Sequence, residues 1–544
     1  MLETLRFRYG TQNEKRAIIQ GEKAKHLTIK TFRDQRQPSN FIHSTKRQQT
    51  LSNDLHSLRI VEYQSYNRAP VFLKRLNYNQ SKTLKSLILD FDVGENHSSA
   101  NLNLHYVHRF SNLEDLHLRI KNFNKKIYQQ IHKVILSCKK LKRLTLQLPL
   151  DASNYYMFFT NLFDILSCHN KDYERIQIIV TWIDGPENEI SFKTPAWNIS
   201  ASKLIKSPTY LDFHSHSNFY TDISRIVFGV QSIENLVGLT LGSYSERVTP
   251  KLFHALDEAI SVKGSLKNLT ILSRISEEVD YLNSKFFDRL ESICVLYNKR
   301  FFEEIIAKGN PERLQSTRIY IGDNDVKSMS TLQAFVMKFK NLKKLILSVG
   351  RTMDLEDLFN FLIYLARNLP QLQVLNLHLL LGLDLDKNEE HLNELISSCA
   401  EIAGLKDFCL NVDPQNHVPE KVIMKLDPLK NWKNLRALRL QVRVKERNSG
   451  ELSRFIWERI FYEAESLANL RLEFYNSILS RQGVNPLQIA TLRGQKVKIY
   501  AGYKSFALLK KLFRPKTGYA NSITRIGHSE VDEDDYLEIY QEEL

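Results

Sequence analysis

The sequence predicts an α/β solenoid, in which short parallel strands form an inner layer and helices form an outer layer. Three observations support this fold class. The stretch Asn341–Val349 reads Asn-Leu-x-x-Leu-x-Leu-x-Val, related stretches recur along the chain, and amphipathic helical segments separate them. A unit of this kind cannot bury its own apolar side, so it has to stack on its neighbours.

The spacing of the repeated motif is regular in both halves of the chain. The first leucines of eight clear copies are Leu55, Leu84, Leu113, Leu141, Leu342, Leu372, Leu405 and Leu435. Neighbouring copies are 28–29 residues apart in the first half and 30–33 apart in the second. Repeats of about 20 to 50 residues indicate a solenoid or a similar stacked array.

Each repeat is predicted to contain one strand, one turn and one helix. In a strand that reads Leu-x-x-Leu-x-Leu, the leucines point into the core and the residues between them point to the opposite face. Helical periodicity follows or precedes the strands in four segments, Lys126–Ser137, Thr249–Val262, Leu355–Leu369 and Ser453–Glu465. Asp354 is a suitable N-cap for the third of these segments.

These motifs resemble the leucine-rich repeat superfamily, in the long-repeat form of ribonuclease-inhibitor-like proteins. The resemblance covers residues 51–500 and implies a leucine-rich-repeat solenoid shaped as a horseshoe or arc, with a parallel inner sheet and outer helices. The family usually has Asn or Cys three residues after the last strand leucine. Asp92, Gly350 and Arg443 stand there instead, so that side-chain ladder is expected to be missing or replaced.

The predicted domain organisation has four parts. Residues 1–50 form a basic N-terminal arm or irregular cap, 51–500 the solenoid, 501–528 a C-terminal cap and 529–544 an acidic tail. Within the solenoid, residues 182–222 contain three prolines and many Ser and Asn residues. This interval is predicted to be either an inserted loop or a decayed repeat, because such residues break regular structure.

The charge of the chain is high and unevenly distributed. The net charge of +15 favours anionic surroundings, such as nucleic acid, an acidic lipid face or an acidic protein surface. The arm holds eleven Lys or Arg and four acidic residues, and a plain arm is favoured over an organelle presequence. The tail holds eight acidic residues and no Lys or Arg. It is either a solubilising end or a motif that docks on a basic surface, of a partner or of this chain.

The predicted partner-binding residues are strand residues that point away from the leucine core, on the concave face. They are Asp115, His117, Arg119, Arg143, Thr145, Gln147, Lys344, Ile346, Asn376, His378, Asp407, Asn411, Arg439 and Gln441. The mixture of acidic, basic and neutral side chains favours a protein partner, because a nucleic-acid groove would be dominated by Lys and Arg.

Enzyme chemistry is disfavoured by the motifs that the sequence lacks. It contains no GxxxxGK[ST], HExxH or GxSxG pattern and no GxGxxG after a strand. We therefore predict no catalytic residues, no metal, no cofactor and no small-molecule substrate. Five scattered cysteines without a CxxC pair indicate reduced thiols and an intracellular location. The cytoplasm is the leading compartment, and an organelle and the nucleus are the alternatives. The sequence has no stretch apolar and long enough to span a membrane.

The leading functional hypothesis is a non-enzymatic scaffold that binds protein partners within a larger intracellular assembly. The concave repeat face and the terminal arms would make the contacts. The first alternative is a basic subunit associated with RNA or ribonucleoprotein, which the charge favours. The second alternative is a substrate receptor of a ubiquitin ligase, although residues 1–50 do not resemble an adaptor-binding module.

Overall fold

The computed structural model describes a large part of the chain. The described residues are 4–8, 26–31, 55–63, 82–92, 104–120, 125–150, 166, 173–182, 205–215, 229–231, 233–243, 247–248, 254, 256–258, 260, 265–275, 286–322, 329–350, 355–379, 389–412, 434–442, 469–474, 496–501 and 523–525. They fall into two compact units, Met1–Arg289 and Leu290–Leu544, which we name the N-unit and the C-unit.

The strands of the N-unit are parallel and pair in chain order. Those described are β1 (Thr4–Arg8), β2 (His26–Thr31), β3 (Ser57–Tyr63), β4 (Ser86–Asp92), β5 (Asp115–Ile120), β6 (Arg143–Leu150), β7 (Arg175–Trp182), β8 (Thr209–Ser215), β9 (Leu236–Ser243), β10 (Arg247–Val248), β11 (Asn268–Ile271) and β12 (Arg274–Ile275). β1 to β9 form one ladder, and β11 extends it by pairing with β9. β10 and β12 pair with each other in a separate sheet.

The register aligns equivalent positions of successive repeats. Between β5 and β6, for example, leucine stands opposite leucine along the core side. An irregularity separates β8 from β9, where Thr209 aligns with Leu236 but Tyr210 aligns with Gly238. A Cβ on Gly238 would lie 2.4 Å from Cδ1 of Tyr210. The absence of a side chain at Gly238 therefore lets the tyrosine ring approach the backbone of β9.

The C-unit contains a second parallel ladder. Its described strands are β13 (Ser292–Leu296), β14 (Ser316–Ile321), β15 (Lys344–Val349), β16 (Val374–Leu379), β17 (Asp407–Val412), β18 (Ala437–Val442), β19 (Asn469–Phe474), β20 (Lys496–Ala501) and β21 (Ile523–Arg525). Each strand pairs with the next strand in the chain. Both units therefore have the sheet of an α/β leucine-rich-repeat solenoid.

Helices connect successive strands and form the second layer. Those described are α1 (Lys125–Ser137) in the N-unit, and α2 (Lys299–Lys308), α3 (Ser330–Lys338), α4 (Leu355–Asn368) and α5 (Glu389–Ala400) in the C-unit. Asn298 caps α2, because its side chain accepts a hydrogen bond from the Phe301 backbone N–H at 3.0 Å. α3 packs against α2 and α4, and α4 packs against α5. The helices thus stack in the same order as their strands.

The core repeats with the sequence motif. Leu113, Leu116 and Leu118 are completely buried, and their equivalents in the clear repeats of β3, β4, β6, β15 and β16 are buried as well. Burying one leucine side chain contributes about 1.5–3 kcal/mol, so a stack of such repeats gains stability with each unit added. Phe302 and Phe335 join α2 to α3 through rings whose centres are 5.3 Å apart.

At several junctions, the side chain that precedes the first leucine ties its repeat to the one before it. Each donates a hydrogen bond to a backbone carbonyl of the preceding repeat. The described bonds of this kind are Thr83 Oγ1 to Leu55 O (3.1 Å), Asn112 Nδ2 to Lys82 O (2.6 Å), Ser265 Oγ to Leu236 O (2.9 Å) and Asn434 Nδ2 to Ala403 O (2.7 Å). A side-chain ladder therefore exists, but it lies before the strand rather than after it.

The structure confirms the predicted fold class and several elements. α1 and α4 match two predicted helices, and the described residues of Thr249–Val262 are helical. β8 lies inside the interval 182–222, so the sheet of the N-unit continues through it. Two strands, β1 and β2, lie within the predicted arm. The helix predicted at Ser453–Glu465 and the acidic tail lie outside the described residues.

Candidate functional site

The outward side of β5 and β6 carries six of the predicted partner-binding residues. We name this group the N-face: Asp115, His117, Arg119, Arg143, Thr145 and Gln147. Burial alternates along both strands, so the leucines are buried while the N-face side chains are partly or well exposed. The register aligns Asp115 with Arg143, His117 with Thr145 and Arg119 with Gln147. The six side chains therefore form one continuous patch.

Two ion pairs place arginines on or beside the N-face. Arg119 Nη1 lies 3.5 Å from Asp90 Oδ2 on β4, and Arg143 Nη2 lies 3.6 Å from Asp115 Oδ2. Partly exposed pairs of this kind contribute little to stability, below about 1 kcal/mol each. Their main effect is to position the guanidinium groups and to balance positive charge with negative charge at short range.

The environment of the N-face changes the protonation of two of its members. Burial, together with the positive charges of Arg59 and Arg119, lowers the pKa of His117 to about 4. His117 is therefore neutral at pH 7 and offers one hydrogen-bond donor and one acceptor. Burial raises the pKa of Asp115, although Arg143 and Arg175 act in the opposite direction.

A chain of polar contacts continues the N-face across β7 and β8. The Arg175 guanidinium carbon lies 4.3 Å from the centre of the Tyr210 ring, and Arg175 Nη2 donates to Gln177 Oε1 at 3.3 Å. Gln177 Nε2 donates in turn to Asp212 Oδ2 at 2.8 Å. These four residues form an ordered polar surface with one aromatic member.

Sequence reasoning did not include this continuation among the candidate residues. β7 contains no leucine, so its motif is weak, and the prolines of residues 182–222 disguise the next repeat. The alternation in Tyr210-Leu211-Asp212-Phe213 was the available signal, because alternating polar and apolar residues indicate a half-buried strand. The stacking of Arg175 on Tyr210 had no local signal.

The remaining candidates lie on the outward side of the C-unit sheet. We name this group the C-face: Lys344, Ile346, Asn376, His378, Asp407, Asn411, Arg439 and Gln441. Ile346, Asn376 and Asn411 are only 3%, 1% and 8% exposed. The outward side of β15 to β17 is therefore largely closed to solvent, in contrast to the N-face. Gln441 aligns with Asn411 through the backbone register.

Hydrogen bonds connect the polar members of the C-face across three strands. Arg439 Nη2 donates to Asp407 Oδ2 at 3.1 Å and to Asn376 Oδ1 at 3.5 Å. Asn411 Nδ2 lies 3.4 Å from Nδ1 of His378. Buried polar groups cost free energy unless they are hydrogen-bonded, so this network makes the burial of the C-face tolerable.

The described ranges also bear on membrane helices and metal sites. No helix there has the length and apolar character that crossing a membrane requires. Nor do three or more His, Cys, Asp or Glu side chains converge there in a way that could hold a metal ion.

Comparison with known proteins places this chain beside a solved structure of low similarity. No protein-family model matches the chain, and no curated protein matches it. Among solved structures, one match is titled "Crystal structure of TLR13-ssRNA13 complex". The alignment covers 92% of this chain and 78% of that chain, with 12% sequence identity and a TM-score of 0.34.

Proposed function

We propose that the chain is a non-enzymatic recognition module that binds a protein partner through the N-face, as one subunit of a larger intracellular assembly. The observation that carries this proposal is the patch of partly exposed, mixed-sign side chains on paired strands. A rigid sheet fixes these side chains before binding, and a preorganised surface loses less conformational entropy when a partner docks.

The N-face suits this role better than the C-face because it is accessible. A partner can reach Arg119, Arg143 and Thr145 directly, since these side chains are partly or well exposed. Ile346 and Asn376 are buried, so they contact a partner only after the side chains and backbone around them move. We therefore assign the first contact to the N-face.

A protein partner fits the charges of the N-face better than RNA does. Binding to a phosphate backbone depends on cations that exchange with counterions. Arg119 and Arg143 already face the carboxylates of Asp90 and Asp115, which also repel phosphates. A protein surface that offers both acidic and basic groups complements this arrangement, and such complementarity gives specificity.

Site-specific cross-linking in cells tests the location of the contact. A photoreactive amino acid replaces Thr145 on the N-face in one variant and Lys133 on α1 in the control. Lys133 is exposed and belongs to the helical layer of the same unit. We expect a defined protein adduct from position 145 and none of the same mass from position 133. Adducts of equal yield at both positions would contradict the proposal.

Charge reversal tests which side chains matter. Arg119→Glu combined with Arg143→Glu should reduce the adduct from position 145 by about tenfold, because the reversed charges repel the partner's acidic groups. The matched control is Lys133→Glu with Lys140→Glu, which changes the net charge equally on exposed residues outside the N-face. An adduct that disappears after nuclease treatment would instead support the RNA alternative.

A further inference from the structure

One row of side chains stands immediately before the outward face in each unit. It runs through the residues that directly precede the strands. Two stretches of it are Lys85, Glu114, Lys142 and Glu174, which precede β4 to β7 in the N-unit, and Gln315, Lys343, Gln373, Lys406 and Arg436, which precede β14 to β18 in the C-unit. We name these sets the N-row and the C-row. After the first member of each row, the backbone N–H of every member donates to the carbonyl of the member before it, at 2.7–2.9 Å, so both rows are held in register.

The N-row neutralises itself. Lys and Glu alternate, and every neighbouring pair is within ion-pair distance: Lys85 to Glu114 at 3.6 Å, Glu114 to Lys142 at 3.5 Å, and Lys142 to Glu174 at 3.7 Å. Two positive and two negative charges therefore cancel along the edge of the sheet. An anionic ligand gains little from such a row.

The C-row has the same hydrogen bonds without the same neutralisation. Lys343 Nζ donates to Gln315 Oε1 at 3.1 Å, and Lys406 Nζ donates to Gln373 Oε1 at 3.4 Å. The glutamines occupy the places that glutamates occupy in the N-row, so the lysines are positioned but keep their full charge. Arg436 adds a third exposed cation. Glu291 precedes the row at β13, two strands from Lys343.

We propose that the C-row binds the acidic segment Glu530–Glu543 of the same chain. Within the described residues, no carboxylate forms an ion pair with Lys343, Lys406 or Arg436. The acidic segment carries eight acidic residues and no Lys or Arg. The three cations and the acidic segment are therefore complementary in charge, and both belong to the C-unit.

The residues after β21 are long enough to bring the acidic segment to the C-row. Arg525 ends β21, and the register aligns it with Ala501, Phe474 and Val442 on the preceding strands. From strand spacing and rise, Arg525 is about 25 Å from the position of Arg436 and about 35 Å from that of Lys343. Residues 526–543 span up to about 60 Å when extended. The acidic residues can therefore lie along the whole C-row.

This contact does not depend on partner binding by the N-face. An acidic partner that binds the C-row has to compete with the acidic segment. Exposed ion pairs are individually weak, but several of them formed within one chain act at a high effective concentration. The contact should also weaken as salt is added, because these charges are exposed to solvent.

The test uses the full-length chain and a labelled synthetic peptide with the sequence of residues 529–544. In a neutral-segment variant, the eight acidic residues of Glu530–Glu543 are replaced by Asn or Gln. We expect the peptide to bind this variant about tenfold more tightly than it binds the natural chain, because the natural segment already occupies the C-row. Equal affinity for the two proteins would overturn the proposal. That is also the result expected if the row binds only the acidic peptide of a partner.

Matched substitutions locate the site. In the neutral-segment variant, Lys343→Gln, Lys406→Gln and Arg436→Gln together should weaken peptide binding about tenfold. The control set is Lys299→Gln, Arg300→Gln and Arg367→Gln, which removes three exposed charges from α2 and α4 and should leave binding unchanged. Equal effects of both sets would show unspecific attraction and reject the C-row as the site.

Covalent coupling of the natural chain provides a second measurement. A carbodiimide joins lysine amines to carboxylates that touch them, so Lys343 or Lys406 should be recovered coupled to Glu530–Glu543 in the monomer. Coupling of that segment to lysines of residues 1–50 instead would overturn the proposal. High salt should suppress the C-row product.

Discussion

The N-face and the C-face occupy equivalent positions of the same repeat but differ in accessibility. On β5, the outward residues are charged or polar and partly exposed. On β15 to β17, the outward residues include Ile346, Ser348 and Cys409, all of which are buried. The backbone register is regular in both places, so the difference lies in the side chains and in what packs on them.

The difference shows that an outward position on a repeat strand does not by itself define a binding surface. A charged side chain resists burial, because removing it from water is costly, and Arg119 and Arg143 keep the N-face open to solvent. Small or uncharged side chains, such as Ser348 and Asn411, are buried at much lower cost when they have hydrogen-bond partners. Side-chain chemistry therefore affects how readily each part of a regular sheet can be covered.

A carboxylate placed at equivalent outward positions of β15 and β4 tests the difference in burial most strongly. Ile346→Asp should destabilise the C-unit by about 4 kcal/mol, because it buries an unpaired charge where the natural side chain is 3% exposed. Ile88→Asp occupies the equivalent position of β4, which is more exposed, and should cost less than about 1 kcal/mol. Hydrogen exchange of the strand amides measures each unit separately. Equal losses would show that the faces do not differ in burial.

A second prediction concerns pH and the N-face. Folding lowers the pKa of His117 from 6.5 to about 4, so the unfolded chain binds this proton first as pH falls. The contribution of His117 to stability is therefore complete above about pH 6.5, is lost between pH 6.5 and 4, and amounts to at most about 3 kcal/mol. Urea unfolding at several pH values should show this loss in the natural chain and a smaller one in His117→Gln.

The cause of the shift can be separated from general acid sensitivity by titrating His117 in nuclear magnetic resonance spectra. Arg119→Ala should raise the pKa of His117, because it removes one of two positive charges near the ring. Lys133→Ala, on α1, is the control and should leave the pKa unchanged. If Arg119→Ala had no effect, burial alone would account for the neutral imidazole.

The smallest predicted difference compares one arginine from each face. Arg439→Ala should cost about 1–2 kcal/mol, because Arg439 donates to both Asp407 and Asn376, and the latter is buried. Arg143→Ala should cost below about 0.5 kcal/mol, since its side chain is 56% exposed and pairs with Asp115 at 3.6 Å. Urea unfolding of both variants tests this ranking, and the reverse order would refute the contrast.

The sequence predicts the core and the strand positions because both depend on local pattern. Leu342, Leu345 and Leu347 were assigned to the core from their spacing, and all three are buried. The tie from Asn112 to the preceding repeat also had a local signal, since Asn stands directly before the first leucine of its repeat. The signal for the tie was therefore present in the repeated motif. The tying residue stands before the strand, whereas the residue of the expected ladder stands after it.

The accessibility of the outward residues has no comparable local signal. Nothing in the residues around Asn376 distinguishes a buried position from an exposed one, because burial depends on segments distant in sequence. The same holds for Arg175 and Tyr210, whose contact at 4.3 Å depends on the register of β7 against β8 and on a glycine at position 238 beside the tyrosine ring. The sequence therefore predicted which residues point outward, but not which of them are exposed.

The ties between repeats also affect how such a chain can change its length. Each tie runs from the residue before the first leucine to the backbone of the preceding repeat, so it joins adjacent repeats and depends on no particular partner side chain. If residues 84–112 were excised, Thr83 would precede Leu113 and would still donate to the Leu55 carbonyl. At the junctions that carry such a tie, whole repeats can therefore be removed or duplicated while the hydrogen bond is kept.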